Sequence, residues 1–256
     1  MSPAAAPALN ETDPVSVYRE LPGAGVLRCW WEQRVHEMPK MQRVLPDACA
    51  DVLVSADGEA SLIGPTMSVA LHDLRPGTSF RAVRFQPGAL RSALGLSAAE
   101  VRDQVLPLTS VLPDRAARLL AEQVWACRFP EALRPIGFDP RVREAVRLLW
   151  SWRDVDRVAA ELGLTARHLR RLLVENAGVG PKAVQRVGRL QRFLTFAEQC
   201  YPVATLADLA AEAGYADQAH LAREVRDLAG LPPSALLRER SASGVETAGA
   251  GADRLG

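Results

Sequence analysis

The sequence predicts an α+β fold: a β-rich N-terminal domain with a helical extension, followed by an all-α domain. Three observations lead there. Between Val26 and Phe85 short apolar runs are broken by turn signals, the pattern of half-buried strands. From Gly88 onward apolar residues recur at helical spacing. The chain then repeats itself at an offset of 52 residues: His168-Leu169 matches His220-Leu221, Arg171 matches Arg223, Ala177-Gly178 matches Ala229-Gly230, and Pro181 matches Pro233.

In chain order, residues 1–14 are rich in Ala and Pro and read as a flexible leader. Residues 15–128 form the β-rich domain and its extension. Its strand-like runs are Val26 to Val35, Cys49 to Ser55, Ala60 to Ile63, Val69 to Leu71 and Phe80 to Phe85, with Ala56 to Glu59 as a hairpin turn. Helices are expected over Gly88 to Leu94, Ala98 to Val105 and Asp114 to Cys127. Pro130, Pro135 and Pro140 punctuate the stretch that makes 129–138 the linker. The all-α domain spans 139–240, and 241–256 is a Ser/Gly/Ala tail.

Cap residues divide the all-α domain into helices. Asp139 precedes Pro140, Asp154 precedes Val155 to Leu162, and Thr165 precedes Ala166 to Asn176. Pro181 opens a long helix to Gln199, Thr205 caps Leu206 to Ala213, Asp217 caps Gln218 to Ala229, and Pro232-Pro233 opens the last. Gly163 and Gly214 stand where a helix must stop and turn.

Of 256 residues, 48% are hydrophobic and 24% charged, a globular composition long enough for two domains. No apolar run is long enough to span a membrane and no signal peptide is readable, so a cytoplasmic location without a membrane partner is expected. Cys29, Cys49, Cys127 and Cys200 are far apart and form no Cys-x-x-Cys pair, which points to reduced thiols. The net charge of +1 hides an uneven distribution. From Arg167 to Arg192 seven basic residues face one acid; from Phe193 to Glu239 three arginines face seven acids. A nucleic-acid footprint is therefore concentrated in the first repeat.

Each repeat reads helix, glycine turn, capped second helix, then Gly and Pro. That is the layout of a helix-turn-helix unit, whose second helix enters the major groove. On the second helix of the first unit, Leu169, Leu172 and Leu173 share one face with Asn176 at its end, while Arg167, Arg170, Arg171 and Val174 take the opposite one. Outward guanidiniums can grip guanine edges or phosphates. A solvated arginine face is the alternative for a lone helix. The repeat, the glycine turns and the basic helix that follows favour DNA.

The stretch from Val155 to Leu237 resembles the DNA-binding domain of AraC/XylS-type regulators, two helix-turn-helix units joined by a long helix. The most specific carriers are Gly214 to Val225, read Gly-Tyr-Ala-Asp-Gln-Ala-His-Leu-Ala-Arg-Glu-Val, and Ala229-Gly230-Leu231-Pro232-Pro233. The resemblance implies base reading by Arg167, Arg170 and Arg171 in the first unit and by Gln218 and Arg223 in the second, where Ala219 also falls but cannot hydrogen-bond a base. Thr165, His168, Lys182, Arg186, Arg189, Arg192, His220 and Arg226 are the expected phosphate contacts. Leu221 and Val225 stand where the family more often has aromatic residues. More weakly, Leu45 to Val54, Ile63-Gly64-Pro65 and Val83 to Ala89 resemble a sensor-like domain found ahead of such DNA-binding domains. That implies a transcription regulator controlled by an unidentified small-molecule or protein effector, with duplex DNA as partner and RNA polymerase and a second copy of the chain as further candidates.

Other residues have plainer readings. His36 and His72 lack a Cys or His partner at ligand spacing, so no metal is expected, and no cofactor either. Cys29 and Cys49 sit in apolar runs as buried thiols. Asp47 and Asp51 have no third catalytic group beside them. Trp30-Trp31 with Arg28 could line an effector pocket, although core packing is the commoner duty of the inward ring. No nucleotide-binding loop, nucleophile elbow or metalloprotease helix occurs, so the chain does not read as an enzyme. The competing class is a protein-interaction module whose DNA-binding face has partly decayed, for which the acidic second unit is the warning.

Overall fold

The computed structural model describes residues 16–128 and 138–242. The leader, most of the linker and the end of the tail lie outside the described residues. Seven strands come first: β1 (Ser16–Pro22), β2 (Leu27–Val35), β3 (Lys40–Val44), β4 (Asp51–Ser55), β5 (Ala60–Ile63), β6 (Ala70–Leu74) and β7 (Ser79–Phe85). Helix α1 (Leu90–Leu94), strand β8 (Val105–Pro107), α2 (Leu108–Val111) and α3 (Asp114–Trp125) follow. Six strands form an antiparallel sheet in the order β1-β2-β7-β4-β5-β8, and β3 pairs with β6 as a separate ribbon.

The sheet's two faces differ because neighbouring residues point opposite ways. Val52, Val54, Val83 and Phe85 belong to the core closed by Leu90, Leu120 and Val124. In register with Trp30, Val83 brings that indole against this core, whereas Trp31 pairs with Ala82 and faces the other side. On that other side Arg84 holds Asp51 at 2.9 Å and Asp47 at 3.3 Å. Burial alone would raise the Asp47 pKa, but the Arg84 and Arg28 charges overcome it and hold the carboxyl below its ordinary range. Burial pushes the Cys29 thiol up to about 12, the state of an inert core cysteine.

Three sequence expectations change here. Strands β1 and β3 were not expected. The segment Ala98 to Val105 is not a helix but a run of turns ending in β8. A tertiary bond holds its start, Ala98 N–H donating to the Glu175 carbonyl at 3.0 Å, so helical spacing of its apolar residues reflected packing rather than a helix.

The second half is all helix: α4 (Pro140–Trp150), α5 (Val155–Glu161), α6 (Ala166–Ala177), α7 (Pro181–Cys200), α8 (Leu206–Ala213), α9 (Gln218–Ala229) and α10 (Pro233–Ala242). The last helix runs two residues past the expected start of the tail. Asp139, Asp154, Thr165, Thr205 and Asp217 all accept backbone N–H bonds as N-caps. Two cores result. One joins Leu149, Val158, Leu169, Leu173 and Val184; the other joins Leu190, Phe193, Leu209, Leu221, Val225 and Leu236. Helix α7 contributes to both, which makes it the shared spine of two helix-turn-helix units.

Candidate nucleic-acid interface

In the first unit α5 and α6 form the motif. Leu169 and Leu173 are fully buried, Asn176 is buried, and Leu172 is half-buried, so the apolar stripe is narrower than the sequence implied. Asn176 Nδ2 donates to the Leu172 carbonyl at 2.8 Å, which satisfies it within the helix. Thr165 Oγ1 accepts from His168 N–H at 3.2 Å and starts α6. Ala166, Arg167, His168, Arg170 and Arg171 are exposed, and the three arginines have no acidic partner among the described residues. The N-terminal turn of α6 is the end that reaches base edges in this motif, and it is open. Its one acid, Glu175, lies at the far end, 3.6 Å from Arg91 of the N-terminal half.

The second unit presents Gln218, Ala219, Arg223 and Arg226 as exposed residues of α9. Asp217 caps α9 by accepting the His220 N–H at 2.6 Å. His220 turns back, its Nδ1 accepting the Ala216 N–H at 3.3 Å and its ring standing edge-on to Tyr215 at 5.3 Å. The imidazole therefore closes the turn before α9, a duty different from the phosphate contact expected of it.

Helix α7 also departs from expectation. Glu224 of α9 is buried and shared by two α7 arginines: Arg189 through Nη2 at 2.6 Å and Nε at 2.9 Å, and Arg186 through Nε at 3.1 Å. Arg186 also reaches Asp227 at 3.4 Å. Donating hydrogen bonds to the Glu224 carboxylate raises Arg189 above its ordinary pKa. Arg192 stacks 4.2 Å from the Trp152 ring centroid and 5.7 Å from that of Phe196. Of these three guanidiniums, expected on phosphates, Arg186 and Arg189 hold α9 of the second unit to the spine, and Arg192 braces Trp152. Lys182 remains exposed at the start of α7. Among the acids from Phe193 to Glu239, Glu198, Glu224, Asp227 and Glu239 are paired with arginines within the protein.

Trp152 joins the two units. It lies in the turn between α4 and α5 with φ 63°, and its ring lies flat against Gly214 in the turn between α8 and α9. A Cβ on Gly214 would sit 2.3 Å from the Trp152 Cε2, and Gly214 itself has φ 84°. Gly214→Ala is therefore expected to destabilise the second unit by about 2 kcal/mol, from left-handed strain and displacement of the ring. The measurement is thermal unfolding of the full chain beside Gly95→Ala, a left-handed position with no atom within 4 Å of the added methyl. Equal losses in the two variants would mean that the Trp152 contact contributes nothing.

Comparison with known proteins places this geometry. A profile described as "Helix-turn-helix domain" matches residues 158–239, and one described as a domain of unknown function (DUF6597) matches residues 24–107. Residues 158–239, which hold α6 to α9 and most of α10, are thus a helix-turn-helix domain. A DUF6597 domain precedes it in the chain. Among solved structures it is similar to a probable AraC family transcriptional regulator from Rhodopseudomonas palustris, at 23% identity over 39% of this chain and 95% of that one, with a TM-score of 0.35. It is also similar to ToxT from Vibrio cholerae, at 12% identity over 87% of this chain and 97% of that one, with a TM-score of 0.41. ToxT with a bound unsaturated fatty acid gives 11% identity, 90% and 97% coverage and a TM-score of 0.43. Similarity at this level carries no weight for individual residues. No curated protein matches. No helix of the described residues is long and apolar enough to cross a membrane, and none of their His, Cys, Asp and Glu residues gather as a metal site.

Sequence reading missed Trp152 and the shared role of Glu224. Trp152 carries a weak signal, a large aromatic residue directly after a helix end and before the Asp154 cap. For Glu224 the excess of acids in the second unit was visible, but its basic partners lie 35 and 38 residues earlier.

Proposed function

We propose that this regulator reads duplex DNA chiefly through Arg167, Arg170 and Arg171 of α6, with Gln218 and Arg223 of α9 as the second reading set. Thr165, His168, Lys182 and Arg226 are the phosphate-contacting group. The observation that carries the reading is the exposed N-terminal half of α6, where three arginines stand opposite fully buried Leu169 and Leu173 with no acidic partner among the described residues. Arg186 and Arg189 act indirectly, by fixing the second unit on α7, and Arg192 by bracing Trp152. The N-terminal domain, 15–128, carries a regulatory signal and adds no general attraction for phosphate, since residues 1–138 contain 14 basic and 15 acidic residues. The protein works in the cytoplasm, where its DNA lies. RNA polymerase and a second copy of the chain are its candidate protein partners, and it performs no catalysis.

The experiment is selection of bound sequences from random duplexes, followed by Arg171→Ala and Arg167→Ala on the enriched site. Each variant is expected to lose about 1–3 kcal/mol of specific binding and to relax preference at one or two base positions, because water cannot replace a bidentate base contact. Uniform loss across all sequences would make these residues phosphate anchors instead. Failure to enrich any duplex would favour the protein-interaction reading.

A further inference from the structure

The N-terminal half touches the two reading units at corresponding places. Helices α6 and α9 end 52 residues apart in the repeat, at Gly178 and Gly230. The last carbonyls of a helix have no partner within it and carry the negative end of its dipole, so a cationic donor is favoured there. Arg102 Nη1 donates to the Gly178 carbonyl at 3.2 Å, and Arg43 Nη1 donates to the Ala229 carbonyl at 2.9 Å. Arg43 also holds Glu239 of α10 through Nε at 2.8 Å and Nη2 at 3.2 Å. Each recognition helix is thus gripped by an arginine of the preceding domain at its end away from the base-reading turn.

Between the two grips runs one short loop, residues 64–69, joining β5 to β6. Its Pro65 Cγ would lie 3.1 Å from a Cβ on Gly178, and its Val69 Cγ1 would lie 3.2 Å from one on Gly230. Midway between them Met67 packs against both helical cores, that of Leu169 and Leu173 and that of Leu221 and Val225. The loop is itself tied down, with Met67 N–H donating to Asp103 Oδ1 at 3.2 Å. Packing this tight at Gly178 transmits displacement rather than absorbing it.

We propose that this loop is a spacer, with Met67 as its wedge and Arg43 and Arg102 as its clamps, which sets the separation of the two recognition helices and so the spacing of the two DNA segments they read. These are positioning residues for DNA reading. None lies on the exposed faces of α6 or α9. The proposal rests on the assignment of α6 and α9 as the reading helices. It also gives the N-terminal domain a route to DNA affinity, because movement of one loop changes the spacing of both helices.

The test uses the full chain and the duplex it enriches from a random library, remade with one or two base pairs added or removed between the two footprinted segments. One base pair rotates the second segment by about a tenth of a turn and shifts it by about 3.4 Å, so the wild type is expected to lose about tenfold or more in affinity on altered spacings. Met67→Ala and the pair Arg43→Ala with Arg102→Ala are expected to flatten that profile to within about threefold while leaving the footprint on each segment in place. Met67→Leu restores it, and so does Arg102→Lys, which keeps one donor for the Gly178 carbonyl. A merely structural role would lower affinity by the same factor at every spacing, and that result overturns the proposal. So does a wild-type profile already flat in spacing, or variants whose profiles match the wild type. A library yielding no enriched duplex would instead overturn the assignment of α6 and α9, and the spacer with it.

Discussion

Replacing Glu224 with alanine is expected to destabilise the protein by about 3 kcal/mol, because it leaves two guanidiniums facing each other across a vacated buried site. The Glu224 side chain is only 7% exposed, and Arg189, its closest partner, is 18% exposed. Breaking one side of a buried pair costs more than the pair contributes, since the remaining charge has lost its solvation and gained nothing. Arg186 is more exposed and retains Asp227, so most of the loss falls on Arg189. The measurement is urea unfolding of Glu224→Ala, Arg189→Met and the double variant. A coupling energy of about 1–3 kcal/mol is expected, with the double variant less damaged than the sum of the singles. Additive losses would show that the pair is solvated and that the second unit is held to α7 by its apolar core alone. Glu224→Ala should also weaken binding to the second DNA segment more than to the first, although Glu224 itself faces the protein.

The helical half was readable because its signals are local. Asp139, Asp154, Thr165, Thr205 and Asp217 each cap within three residues of themselves, and the leucine and arginine faces of α6 follow from helical spacing. The β-rich half was readable only where one strand face is apolar. Strand β1 was invisible because Tyr18 and Glu20 lie beside the charged Arg84 group, a polar environment that gives no hydrophobic alternation. Strand β3 was invisible because its ribbon exposes Met41 and Leu71. For the site, exposure of Arg167, Arg170 and Arg171 could be anticipated, but the duties of Arg186, Arg189 and Arg192 could not. Their partners Glu224, Asp227 and Trp152 are set by how α9 and the turn after α4 cross α7, which no local pattern encodes. The clamps at Gly178 and Ala229 were beyond reach for the same reason, since Arg43 reaches a carbonyl 186 residues away.

The first unit is expected to dominate both affinity and base choice. Acid repulsion in the second unit no longer carries that expectation, because Glu224 and Asp227 are neutralised by α7. The count of free exposed donors does. Helix α6 offers Arg167, Arg170 and Arg171, with Lys182 close in sequence, while α9 offers Gln218, Arg223 and Arg226 beside the methyl groups of Ala219 and Ala222. A methyl group can at most touch a thymine methyl, so α9 has fewer ways to discriminate bases. Replacing Arg167, Arg170 and Arg171 together by alanine is expected to weaken specific binding by about 3 kcal/mol or more, a loss beyond about a hundredfold. The equivalent change at Gln218, Arg223 and Arg226 should cost about 1–2 kcal/mol and leave the first segment protected in a footprint. A salt titration separates base contacts from phosphate contacts: each phosphate contact removed lowers the slope of log K against log salt by about 0.9. Single Arg170→Ala and Arg223→Ala variants, titrated in parallel, check that the triple changes act through contacts and not through unfolding. Equal losses from the two triple variants, or a larger loss from the α9 set with a footprint centred on its segment, would overturn the asymmetry and make the second unit the principal reader.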